Sequence, residues 1–222
     1  MAAMTKLTQI AIDGPVGVGK STVAKLVAGK LGFAYIDTGA MYRAAAYFFL
    51  EKNIDPDDQK AVCENLQDLR IRLDEKQRVF VNDDEVTPKI RTQEISKWTS
   101  VVAAYPCVRA KLVKLQQDLA TKTNVVMDGR DIGSYVLPDA DLKIYLDADV
   151  YIRAMRRYND LLAKGLKSDL EEVKNETIIR DERDMNRKES PLIKTSDAVL
   201  IDTGNKDIDE VVAMILSEFK RD

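Results

Sequence analysis

Residues 13–22 read DGPVGVGKST. Half of them are Gly, Pro or Ser, yet the stretch stands between an apolar run, TQIAID (8–13), and a helical pattern from Lys20 to Leu31. Within it lies Gly14-x-x-x-x-Gly19-Lys20-Ser21, the spacing of a phosphate-binding loop. Main-chain N–H groups must curl round an anion there, and side chains would block the approach, so glycines fill the turn. The following helix aims its positive end at the same anion. Gly14, Pro15, Val16, Gly17, Val18, Gly19, Lys20, Ser21 and Thr22 are therefore predicted to hold a nucleotide triphosphate. Lys20 is the mobile cation, and the Ser21 hydroxyl is placed for Mg²⁺.

Outward from this loop the chain alternates. Val23, Leu26, Val27 and Leu31 repeat at helical spacing, and Gly32 is a natural stop. FAYID (33–37) reads as a second strand, followed by a helix from about Thr38 that ends before Asp55-Pro56. This strand–helix rhythm predicts a parallel sheet covered by helices. It breaks at RIRLD (70–74), RVFVN (78–82) and DDEVT, which read as inserted antiparallel strands. Helical patterns return over 92–106 and 108–121. VVMDG (125–129), LKIYLDA (142–148) and AVLIDT (198–203) complete the core strands, with RDIGSYVLPDAD read as a loop. Charged helices are expected at 150–165 and 169–189, the second opened by a Ser168/Glu171 capping box. The last helix carries the stripe Ile208, Val211, Val212, Ile215, Leu216 and Phe219.

Composition narrows the chemistry. The 222 residues contain no histidine, which removes histidine-based triads and histidine-ligated metals. Net charge is −3, without the basic excess of a nucleic-acid binder. No apolar run is long enough to span a bilayer, and the first residues lack a signal-peptide pattern, so a cytoplasmic protein is expected. No extra apolar patch stands out, and a monomer is expected. Cys63 and Cys107 lie far apart without C-x-x-C spacing and read as separate, buried or indifferent thiols.

Two further segments gain meaning from the phosphate loop. DTGAMYR (37–43) and DGRD (128–131) each follow a strand, where open α/β sheets gather ligands. Asp128 fits the apolar-run-then-Asp pattern that supports Mg²⁺ through water. Arg153, Arg156 and Arg157 share one helix face, and Arg180, Arg183 and Arg187 another. Alone they read as a solvated surface; beside a phosphate loop they suit charge neutralisation in phosphoryl transfer.

Together GPVGVGKST, DTGAMYR, IRTQEI, VVMDGRDIG, LPDADLKIYLDA and RDERDMNRKESPL, in this order, resemble the cytidylate kinase family over roughly residues 8 to 216. The resemblance implies an α/β fold with a P-loop NTPase-type five-stranded parallel sheet. The core would be 1–62 and 98–222, with a short lid at about 153–168 and an acceptor-binding insert at 63–97 carrying the small antiparallel sheet. It implies phosphorylation of CMP and dCMP by ATP with Mg²⁺. Arg43, Arg130 and Arg187 would grip the acceptor phosphate. Thr38, Arg180 and Asp184 would hold the ribose, and Ser100, Arg109 and Asp131 the cytosine. Arg153 and Arg157 would close over the donor phosphates. Lys20, Asp128, Arg130, Arg157 and Arg187 form the expected catalytic set. Kinases of UMP, adenylate, shikimate or dephospho-coenzyme A share the loop. A nucleotide-dependent switch is a weaker fit: Asn205-Lys206-Asp207-Ile208 puts Ile where a guanine-reading N-K-x-D motif needs Asp.

Overall fold

The computed structural model describes residues 6–220. Strand β1 (Gln9–Asp13) leads into helix α1 (Lys20–Leu31), β2 (Ala34–Asp37) and α2 (Thr38–Glu51). After α3 (Gln59–Asn65) come three short strands, β3 (Ile71–Leu73), β4 (Val79–Val81) and β5 (Asp84–Glu85). Helices α4 (Gln93–Val102) and α5 (Pro106–Ala120) precede β6 (Val125–Asp128) and β7 (Leu142–Asp147). Helices α6 (Val150–Ala163) and α7 (Leu170–Asn186), strand β8 (Val199–Asp202) and α8 (Ile208–Phe219) complete the chain.

The five-stranded sheet has the order β2-β6-β1-β7-β8. Central β1 pairs in parallel with β6 (Gln9 opposite Val125) and with β7 (Ile10 opposite Leu142), and β7 pairs in parallel with β8. A parallel sheet is covered on both faces, so its inner strands read as unbroken apolar runs rather than alternations. That is why β6 is buried at every residue. Each of the five strands ends on an aspartate: Asp13, Asp37, Asp128, Asp147 and Asp202. A carboxylate at a strand end meets the exposed N–H groups of the next turn instead of sheet partners.

Described residues up to Tyr35 and from Thr123 onward form one compact unit, and Ile36–Lys122 form a second. In the first, Ile10, Ile12, Val23, Val27, Val126, Ile144, Leu146, Val212 and Ile215 make one apolar cluster. Gly32 ends α1 in the left-handed region, as its position in the sequence predicts. Helices α6 and α7 share only a small cluster, Ala154, Leu161 and Val173, flanked by Tyr158 and Leu170. The second unit packs Phe48, Phe49, Val62, Leu69, Val79, Val81, Ile90, Ile95 and Leu112 together, with antiparallel β3–β4–β5 against them. This unit is wider than the 63–97 segment read as an insert, because α2, α4 and α5 share its apolar cluster with the small sheet.

Three local readings are corrected. Cys63 and Cys107 are not separate thiols; they form a disulfide across 44 residues, Cα–Cα 5.8 Å, that ties α3 to the first turn of α5. Helix α7 is capped by Asp169, which accepts from the Glu172 N–H, so the Ser168/Glu171 box is absent. A capping box does form at Asp207/Glu210 of α8, where each side chain accepts from the other's backbone. Within the expected 130–141 loop, Ile132–Val136 wind into one wide helical turn. Helix α3 was also not anticipated; its Gln59–Asn65 sequence is short and mostly polar, with little periodicity to read.

Candidate active site

The phosphate loop owes its shape to close backbone approach. Gly14 has φ 145°, and a Cβ there would stand 2.1 Å from the Leu146 carbonyl oxygen of β7. Gly17 has φ 82°, and its Cβ would meet Arg153 backbone and Cβ atoms at 3.0 Å. Helix α1 then starts at Lys20 with no side-chain cap on its first turn, which leaves those N–H groups directed at the loop's hollow. Lys20 is buried and folds back to donate to the Gly14 and Pro15 carbonyls, at 2.7 and 2.6 Å. Burial and the nearby Arg130 cation push its pKa well below the usual lysine range, against the pull of Asp128, Asp13 and Asp184.

At the end of β6, Asp128 accepts from the Ser21 hydroxyl and the Tyr35 hydroxyl, each at 2.8 Å. Register places it opposite Ile12 of β1, next to the loop. Arg130 donates to the Asp184 carboxylate at 2.8 Å and to the Gly129 carbonyl. Burial opposes its charge, but Asp184, with help from Asp181 and Asp128, raises the Arg130 pKa. The reverse holds for Asp184: burial favours its neutral form, and Arg130, Arg180 and Arg187 together hold it below the usual carboxylate range. Arg187 and Asp131 pair at 3.0 Å, with only 6% of each side chain exposed. Arg187 also donates to the Ser190 carbonyl. The two arginines sit on different segments, one after β6 and one at the end of α7, and each meets a carboxylate from the other segment.

Asp13 behaves differently. It accepts from the Ile132 and Gly133 N–H groups, and burial nevertheless raises its pKa to about 6. The two amide bonds and Lys20 pull the other way, while Asp131 adds to the rise.

Arg153 is buried on α6 and does not extend over the loop as expected. Its guanidinium donates to the Val16 and Ala148 carbonyls, each at 2.9 Å, and to Asp181 of α7. Asp181 in turn accepts from the Val16 N–H at 3.0 Å. The pair therefore clamps both polar groups of one phosphate-loop residue. Arg157 is partly exposed and lies 3.6 Å from Glu176. Arg156 reaches the Thr203 hydroxyl and carbonyl.

In the second unit, Asp37 caps α2 through the Ala40 N–H and takes an ion pair from Arg43 at 2.9 Å. Thr38 is the buried first residue of that helix. Ser100, in the last turn of α4, donates to the Lys97 carbonyl. Buried Arg109, in the first turn of α5, reaches the Ala103 carbonyl at 3.4 Å, and its guanidinium lies 5.7 Å from the Tyr42 ring centroid. Ser100, near the C-terminal end of α4, and Arg109, near the N-terminal end of α5, thus flank the corner between the two helices.

In the first unit, Lys20, Ser21, Asp128, Arg130, Asp131, Arg180, Asp184 and Arg187 are linked through hydrogen bonds, ion pairs and charge interactions. Asp13, Tyr35 and Asp181 were missed. Only Asp13 carried a signal: like Asp128, it ends an apolar run, directly before Gly14. Ser21 and Asp128 offer hard oxygen donors, the kind Mg²⁺ takes while keeping most of its waters. No helix among the described residues is long and apolar enough to cross a membrane.

Comparisons with known proteins agree with this chemistry. The family model described as cytidylate kinase matches residues 10–221. The cytidylate kinase of Ligilactobacillus salivarius (strain UCC118) is 51% identical over 96% of this chain and 97% of its own length. That of Listeria monocytogenes serotype 4b (strain CLIP80459) is 52% identical over 96% of both chains. A gluconokinase structure from Sinorhizobium meliloti 1021 shares the fold at 15% identity, with TM-score 0.50 over 96% of this chain and 92% of that one. Phosphate loop, strand-end aspartates and paired arginines thus come together in a chain that belongs to the cytidylate kinase family.

Proposed function

We propose that this protein transfers the γ-phosphoryl group of ATP to the 5′-phosphate of CMP or dCMP, giving CDP or dCDP. Relatives that cover nearly the whole chain at about half identity carry the name cytidylate kinase. The observation that carries the reading from the site itself is the cross-pairing of Arg130 with Asp184 and Arg187 with Asp131, in the same unit as the phosphate loop. These are two cations with carboxylates already beside them, held ready for an anionic ligand.

The loop amides and Lys20 hold the donor phosphates. A triphosphate offers Lys20 anionic oxygens in place of two neutral carbonyls, which favours its charged form and opposes the lowering by burial. A phosphate monoester has a second pKa of about 6, so the acceptor oxygen is largely ionised at neutral pH and needs no strong base. Catalysis is then positioning and charge neutralisation, and a chain without histidine can perform it. Ser21 would hold Mg²⁺ and Asp128 would support it through water, the ion supplying charge neutralisation for the donor phosphates.

For the acceptor phosphate, the family resemblance assigns Arg43, Arg130 and Arg187. Thr38, Arg180 and Asp184 bind the ribose. When phosphate engages Arg187, Asp131 loses its ion-pair partner and accepts from the cytosine N4 amino group. Uracil presents an acceptor at that position and is repelled. Ser100 and Arg109 donate to the O2/N3 edge. A site built on such bonds rejects the wrong base because its buried groups go unpaired. Arg153 contributes by bracing the loop at Val16, and Arg157 is the arginine of α6 left to approach the donor.

A coupled assay of ADP release, offering CMP, dCMP, UMP, AMP and shikimate in turn with ATP and Mg²⁺, tests this. CMP and dCMP are expected to turn over at least a hundredfold more efficiently than the rest. Preference for another acceptor, or no turnover with CMP, overturns the reading.

A further inference from the structure

The segment after β6 is held by a carboxylate to which the reaction has assigned no part. Asp13, the last residue of β1, accepts from the Ile132 N–H at 2.9 Å through Oδ1 and from the Gly133 N–H at 2.7 Å through Oδ2. Both oxygens of a buried carboxylate are thereby satisfied by consecutive amides, as a buried charge requires. The approach is close: a Cβ on Gly133 would stand 3.2 Å from the Lys143 Cγ and Cδ and 3.5 Å from Asp13 Oδ2. Lys143 does not neutralise Asp13, because its ammonium group is bonded to Asp197 at 2.6 Å.

These amides open the helical turn at Ile132–Val136. The first N–H groups of a turn have no partners within it, and the residue just ahead usually folds its side chain back to accept from them. That residue is Asp131, a good capping type, yet it makes no capping bond. Asp13 supplies the acceptor from a different strand, and the Asp131 carboxylate points to Arg187.

We propose that Asp13 is a positioning residue for base selection: by taking the Ile132 and Gly133 amides it relieves Asp131 of the capping role and keeps that carboxylate turned toward the acceptor base. The inference rests on the reading of Asp131 given under Proposed function. Without Asp13, the orphaned amides recruit Asp131, and discrimination by base falls. The donor side is affected less, because Lys20 keeps Asp128, the strongest of its three attractions, and Asp184.

Asp13→Asn tests this at nearly constant shape. Its amide nitrogen opposes the Gly133 N–H, donor against donor. The expected result is a rise of about tenfold in KM for CMP and a fall of about tenfold in the CMP-to-UMP ratio of kcat/KM. KM for ATP should stay within about twofold, since the loop amides and Asp128 are untouched. Gly133→Ala disturbs the same contact from the other side and should give the same split; it decides the matter alone if Asp13→Asn fails to fold. The double variant should be little worse than either single one, as one shared contact demands. The proposal is overturned if KM for ATP and CMP rise together, or if the folded variants keep the wild-type KM for CMP and the wild-type CMP-to-UMP ratio. Wild-type enzyme inactive on CMP would overturn the functional reading and this inference with it. Wild-type enzyme active on CMP, with variants showing no split, would overturn this inference alone.

Discussion

The two compact units differ in how many of their ion pairs are buried. In the parallel-sheet unit the charges are buried and paired with one another: Arg130 with Asp184, Arg187 with Asp131, Arg153 with Asp181. In the helical unit the fold is held mainly by an apolar cluster and a covalent link, and the ion pairs of its small sheet, such as Arg78 with Glu85, are exposed. Asp37–Arg43 is the exception, with only 11% and 19% of the two side chains exposed, while Arg91, 62% exposed, lies 3.7 Å from Asp37. A buried ion pair attracts strongly but has cost its desolvation, so loss of one partner strands the other. An exposed pair is screened and contributes little to stability. Function and folding are thus entangled in the first unit, whereas the exposed pairs of the second can be lost at little cost.

The largest test removes one member of a pair from each unit. Asp184→Ala leaves Arg130 buried without its partner and should cost about 3–5 kcal/mol in urea unfolding, along with most activity. Arg78→Ala removes an exposed pair with Glu85 in the second unit and should cost about 1 kcal/mol or less. Equal stability losses would break the comparison.

The next test addresses the covalent link. Cys63→Ala/Cys107→Ala opens a long loop and should lower the stability of the helical unit by about 2–4 kcal/mol. Hydrogen exchange should then accelerate in α3 and α5 and stay unchanged in β1, β6 and β7. Uniform acceleration through both units would show that they do not unfold separately.

The smallest effect concerns Asp13. Its folded pKa of about 6 lies above its unfolded value near 3.8. The folded state therefore holds the proton more tightly, and this contribution is fully present below about pH 4 and lost as pH rises through 6. Asp184, with its lowered pKa, has the opposite sign: its contribution is present at neutral pH and fades as pH falls below the ordinary carboxylate range. Comparing wild type with Asp13→Asn cancels Asp184. From pH 4.5 to 7.5 wild type should lose about 2 kcal/mol relative to the variant in urea titrations. A constant difference across that range would show that Asp13 does not titrate as described.

Much of the first unit is legible residue by residue. Strands buried on both faces leave unbroken apolar runs, and QIAID, VVMD and LKIYLD are such runs. The glycine positions of the phosphate loop are equally plain, since a side chain at Gly14 would collide with β7. The charged helices are less readable. Their arginines are spaced alike, yet Arg153 is buried as a brace while Arg157 stays partly exposed. Only what packs against each one separates them. Ser168 and Asp169 are both good caps, and the choice fell to the residue whose backbone meets the start of the helix.

The sequence by itself determined the parallel α/β class, the phosphate loop, the turn from parallel to antiparallel strands near residue 70, and a chemistry run on lysine, arginine and carboxylate. Each of these rests on neighbours in the chain: periodicity, φ preference, residue type. Tertiary structure alone decided the Cys63–Cys107 link, the partners of the arginines, and the hold of Asp13 on a turn 119 residues away. Such pairings depend on which strand ends and helix faces are brought side by side, and no local stretch of sequence carries that information.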